Sequence, residues 1–95
     1  MRIGFGDKDL QKLYESGESR KFRLPKHIVL NYIKRIEAIK AAETIGDLMV
    51  MRSYKFEKLQ GYSNRYSMRI NDQYRLEMTL EDGGNIYHQG HYQTL

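Results

Sequence analysis

The hydrophobic period of this chain changes from about 3.6 in its first half to 2 in its second. Ile28, Val29, Tyr32, Ile33, Ile36 and Ile39 recur at helical spacing and mark the longest element, ending near Ala42. From Tyr54 onward apolar and polar residues alternate, most cleanly in Arg65–Ile70 and Gln73–Leu80. Helices followed by a run of strands, in 95 residues, leave room for one α+β domain spanning 1–95.

Local signals supply the rest of the order. Ile3 and Phe5 share one face of a short opening strand. Asp7 is placed to cap a helix from Lys8 to Ser16, in which Leu10, Leu13 and Tyr14 form an apolar stripe. Gly17 suits its end. Pro25 fits the first turn of the long helix, and Thr44 can cap a short one with Ile45 and Leu48 facing inward. Tyr54–Leu59 is a strand candidate, and Asn85–Tyr92 is the last strand. The expected order is β-α-α-(short α)-β-β-β-β, a mostly antiparallel sheet with helices on one face.

The turn between the two best strands fixes their faces. A two-residue loop would pair Ile70 with Gln73 and bury the wrong set. The three-residue loop Asn71-Asp72-Gln73 pairs Ile70 with Tyr74, which keeps Met68, Ile70, Leu76 and Met78 on the core side. It also sets Arg69 opposite Arg75 on the other face, with Arg65 further along. Like charges opposed on a sheet repel. Such a pair is tolerated where an anion or a nearby carboxylate sits between them.

Sixteen Lys and Arg stand against twelve Asp and Glu, a net charge of +4 that favours polyanionic partners. The chain has no Cys, which excludes disulfides, a thiol nucleophile and thiolate metal sites. No apolar run approaches the roughly 18 residues of a membrane span, and Asp7 and Lys8 interrupt any signal-peptide core. A cytoplasmic location without membrane contact is expected. Spacings typical of a metal site are missing, so neither metal nor cofactor is expected.

Phe56-Glu57-Lys58-Leu59-Gln60-Gly61 resembles the F-E-x-L-x-G stretch of HigB-type killer proteins. Ser67-Met68-Arg69-Ile70-Asn71-Asp72-Gln73-Tyr74-Arg75-Leu76 is similar to their S-I-R-hydrophobic-N-x-Q-W-R-hydrophobic signature, with Tyr74 in place of Trp. Ala41-Ala42-Glu43-Thr44 and Asp47-Leu48 fit the stretch after the family's long helix. The resemblance covers almost the whole chain in one register. It implies the RelE-like fold, a twisted antiparallel sheet with two N-terminal helices. It also implies the toxin of a type II toxin–antitoxin system, a ribosome-dependent mRNA endonuclease (mRNA interferase) that cuts without a metal. Its implied partners are a HigA-type helix-turn-helix antitoxin, the ribosome with its mRNA, and operator DNA through the antitoxin alone.

The resemblance places catalysis on Arg75, His91 and Tyr92. Arg75 would bind phosphate, since guanidinium matches it bidentately. His91 has a reference pKa of about 6.5, and Tyr92 can donate a phenolic proton. Arg65, Arg69, Lys55 and Lys58 are candidates for RNA or phosphate contacts. Many family members end in D-Y-H where this chain reads His91-Tyr92-Gln93, and Glu57 and Gln60 stand at two positions that are often basic or His. A non-catalytic ribosome- or RNA-binding protein, or a co-repressor with its antitoxin, is the competing expectation. Alternation sets His91 and Tyr92 on opposite faces, so both reach one phosphate only if the chain leaves the sheet at or just after Gly90.

Overall fold

A computed structural model describes residues 1–81 and 85–91. Its elements are β1 (Ile3–Phe5), α1 (Lys8–Ser16), α2 (Lys26–Ala41), α3 (Ile45–Met49), a 3-10 turn (Arg52–Tyr54), β2 (Glu57–Lys58), β3 (Arg65–Arg69), β4 (Arg75–Glu81) and β5 (Asn85–His91). The sheet order is β1-β5-β4-β3-β2, with β1 parallel to β5 and every other pairing antiparallel.

Helix boundaries follow from their caps. Asp7 Oδ1 accepts from the Asp9 N–H at 2.8 Å, and Gly17, at φ 78°, donates its N–H to the Leu13 carbonyl at 2.9 Å. That left-handed conformation suits glycine. Pro25 is the cap of α2 rather than a residue of its first turn. Its missing N–H costs nothing there, while its carbonyl accepts from Ile28 and Val29. Thr44 and Asp47 form a reciprocal capping box on α3.

The apolar stripes meet the sheet in one core. Leu10 and Leu13 of α1, Ile28, Tyr32, Ile36 and Ile39 of α2, and Leu48 of α3 are buried with Met68, Leu76 and Met78. Tyr32 donates its hydroxyl to the Leu10 carbonyl at 2.8 Å, tying the helices together inside that core. Burial pushes its phenol pKa well up, so it stays neutral.

The β3–β4 hairpin has the expected register. Met68 pairs with Leu76 and Arg69 with Arg75, and Ile70 donates to the Tyr74 carbonyl at 2.9 Å. Asn71 Oδ1 holds the turn by accepting from the N–H groups of Gln73 and Tyr74. Two strand expectations change. The Tyr54–Leu59 strand shrinks to Glu57–Lys58, because Tyr54 closes the 3-10 turn and Lys55, at φ 45°, swings the backbone away. The last strand carries a bulge ahead of Gly90, while the departure from the sheet expected at or just after Gly90 is not seen up to His91, the last described residue. Met78 pairs with His88 but Glu77 with Gly90, so Gln89 is the extra residue of a bulge, and pairing continues to His91 opposite Leu76.

Candidate functional site

Strand parity puts Ser67, Arg69 and Arg75 on the sheet face away from the helices, where β2, β3 and β4 come together. Arg75 organises this corner. Its Nε and Nη2 donate to Ser67 Oγ at 3.2 and 3.0 Å, and Nη2 also donates to the Lys55 carbonyl at 3.0 Å. Glu57 Oε2 lies 3.7 Å from the same Nη2. Nη1 has no partner among the described residues, so the guanidinium keeps capacity for an incoming anion.

Arg69 faces Arg75 across the ladder and is bonded to the Asp72 carboxylate. The two opposed cations are thus each flanked by an exposed carboxylate, which offsets their repulsion. Lys55, Arg69, Asn71, Asp72 and Arg75 line a cleft of about 290 Å³. The left-handed turn at Lys55 serves this cleft directly, since it turns that residue's carbonyl to the Arg75 fork.

Other sequence candidates lie elsewhere. Arg65 shares the face but pairs with Thr79, four residues from Arg75, or about 13 Å by strand rise. It sits over the Tyr62 ring at 4.8 Å and 3.7 Å from Glu77. Lys58 pairs with Tyr66, so alternation puts it on the opposite face from Glu57 and Arg75. His91 takes the register position beside Leu76, next in β4 to Arg75. Tyr92 lies outside the described residues.

Two contributors escape sequence reasoning. Ser67 is 3% exposed although it stands on the outer face, because the Arg75 side chain covers it. Its signal is its smallness between Arg65 and Arg69 at the same parity. Arg35, off the apolar stripe of α2, donates Nε to the Arg69 carbonyl at 3.0 Å and stacks over the Tyr54 ring at 4.5 Å. Burial lowers its pKa from the usual arginine value, with Tyr54 acting against that shift. No pattern in the sequence marks it. Among the described residues no group of three His, Asp or Glu side chains is placed to hold a metal ion. No helix among them is long and apolar enough to cross a membrane.

A sequence model for HigB-like toxins, described as the RelE-like toxin of the type II toxin–antitoxin system HigB, matches residues 3–91. The chain belongs to the HigB-like toxin family. Toxin HigB-1 of Vibrio cholerae is 32% identical over 84 residues, covering 87% of each chain. An uncharacterized protein of Haemophilus influenzae is 29% identical over 93 residues, covering 95% of this chain and 91% of the other. The structure of the YoeB dimer from Staphylococcus aureus shares the fold at a TM-score of 0.59 and 19% identity, over 100% of this chain and 98% of that one. This HigB-like chain is therefore the toxin of a type II toxin–antitoxin system, of the ribosome-associated mRNA-endonuclease class.

Proposed function

We propose that this toxin cuts mRNA held in the ribosome, without a metal, by attack of a ribose 2′-OH on the adjacent phosphate. The observation that carries the reading is the Arg75 guanidinium. It is anchored on one edge by Ser67 and Lys55, has no Nη1 partner among the described residues, and stands opposite Arg69 at the cleft. Arg75 binds the scissile phosphate and stabilises the charge that builds on it in the phosphorane, a contribution that preorganised donors supply at low reorganisation cost. Arg69 and Lys55 add cationic charge from the two sides of the cleft. His91 and Tyr92 handle the protons, one leaving the 2′-OH and one reaching the 5′-oxygen. This role rests on the family resemblance; His91 pairs with Leu76, next in β4 to Arg75 but at the opposite strand parity, so the two meet only where the chain turns out of the ladder. Arg65 and Lys58, away from the cleft, act as contacts to RNA outside the reacting nucleotides.

The partner that silences the toxin is a HigA-type helix-turn-helix antitoxin, and operator DNA is reached through that antitoxin. The site of action is the cytoplasm, where translating ribosomes are. The test is cleavage mapping on translating ribosomes with wild-type toxin and Arg75→Ala. Mapped cuts that disappear in the variant are the expected result. Wild-type cutting by Arg75→Ala removes this residue from the site. Growth arrest with no cut in any message would favour a non-catalytic ribosome binder.

A further inference from the structure

Arg35 stands outside the cleft, yet its two contacts reach both of the cleft's walls. One wall is the end of the 3-10 turn, where Tyr54 is followed by Lys55 and its carbonyl accepts from Arg75. The other is the end of β3, where Arg69 faces Arg75. Arg35 lays its guanidinium on the Tyr54 ring at 4.5 Å and donates Nε to the Arg69 carbonyl at 3.0 Å. It does so from α2, whose neighbouring Tyr32, Ile36 and Ile39 are buried, so the clamp rests on a fixed base. Holding a second arginine close to Arg69 adds repulsion and desolvation, which a merely supporting side chain would avoid.

We propose that Arg35 is a positioning residue that fixes the spacing between the Lys55 carbonyl and the Arg69–Arg75 rung. It thereby sets the orientation in which Arg75 meets a phosphate. Charge alone does not suffice for this, because the work needs a planar group that stacks and donates in one plane. Lysine supplies the charge without the fork.

This inference rests on the reading of Arg75 as the phosphate-binding residue, so its test has one arm that is independent of cleavage. The Arg75 Nε–Hε resonance of the free toxin, assigned by its loss in Arg75→Ala, reports the orientation of that side chain. In Arg35→Lys and Arg35→Ala this resonance moves, while in Tyr54→Phe, which keeps the ring face, it stays. On ribosome-bound message Arg35→Lys loses about tenfold to a hundredfold in kcat, the scale expected for misplacement by about an ångström. Its KM for ribosomes holds within about twofold of wild type, a limit set by the claim that Arg35 touches no RNA. The melting temperature of Arg35→Lys separates misplacement from unfolding. An unmoved Arg75 resonance in Arg35→Lys overturns the proposal, whatever happens to the rate. Wild-type kcat in that variant does the same. A moved resonance combined with full cleavage by Arg75→Ala leaves the positioning intact and sinks the functional reading instead.

Discussion

Arg75 carries a structural task alongside the chemical one proposed for it. An arginine on the outer face of a sheet would ordinarily leave without much cost, within about 0.5 kcal/mol. Here its guanidinium is the hydrogen-bond donor to a serine hydroxyl that is 3% exposed and to the Lys55 carbonyl. Truncation to alanine removes those bonds and lets water reach the acceptors the side chain covered, so Arg75→Ala is expected to cost about 0.5–1.5 kcal/mol as well as cleavage. Urea titration checks the first and mRNA mapping the second. Arg75→Lys should fold better than alanine and cut far less than wild type, because one ammonium cannot hold Ser67 and a phosphate together. Ser67→Ala is expected to keep the fold and lose about tenfold or more in kcat, since Arg75 loses the acceptor that orients it. Single-turnover rates on ribosome-bound mRNA decide this, and an unchanged rate would mean that the Lys55 carbonyl alone suffices.

Among the elements, α3 shows how much a short stretch can specify. Thr44 Oγ1 accepts from the Asp47 N–H, and Asp47 Oδ2 accepts from the N–H groups of Glu43 and Thr44. Thr44→Ala is expected to cost about 1 kcal/mol. Those backbone N–H groups hold the Asp47 carboxyl below the usual carboxylate value. A depressed folded-state pKa stabilises the fold above the unfolded value of about 3.9 and stops doing so as pH falls through the folded one. The melting-temperature gap between wild type and Asp47→Ala should therefore be full at neutral pH and close as pH drops below about 4. Caps of this kind are local, which is why α1 and α3 were legible in the sequence, while α2, which has no side-chain cap, was legible from its apolar spacing. The hairpin register was legible too, because only one loop length buries Met68, Ile70, Leu76 and Met78 together. Through that register Arg69 and Arg75 were correctly set side by side. The strand expected over Tyr54–Leu59 was not legible, because Tyr54 and Lys55 take their conformation from Arg35 and Arg75, distant partners that override an alternating pattern. For the same reason the sequence could not rank Lys55 above Lys58 as the basic residue of the cleft. Parity separates Lys58 from Arg75 only once β2 is known to begin at Glu57. The bulge at Gln89 was equally hidden, since nothing in the alternation marks which residue goes unpaired.

At the scale of the whole molecule, β5 lies between β1 and β4, so the last described strand is interior to the sheet rather than at its edge. That placement sets the end of β5 beside Leu76, next in β4 to Arg75. The cleft there, about 290 Å³ on an open sheet face, is lined among the described residues by five, of which Lys55, Arg69 and Arg75 are cationic. Such a surface attracts any polyanion and orients none of them strongly, since phosphate contacts carry no sequence information. In-line attack by a 2′-OH needs a strained backbone at the scissile nucleotide, and proximity with orientation is worth many orders of magnitude in rate. A substrate fixed in that geometry by another body lets a shallow cationic cleft suffice. We therefore expect purified toxin to cut naked RNA at least about a hundredfold more slowly than message held on the ribosome. The net charge of +4 should make any naked-RNA binding fall steeply with salt, while ribosome-dependent cutting falls less, because shape-matched contacts add to the electrostatic ones. Parallel rate measurements on one message, free and ribosome-bound, across a salt series test both statements. Rapid cutting of naked RNA at defined sequences would show that the cleft positions its substrate alone. The substrate geometry would then have to come from residues of this chain, with the end of β5 the first place to look.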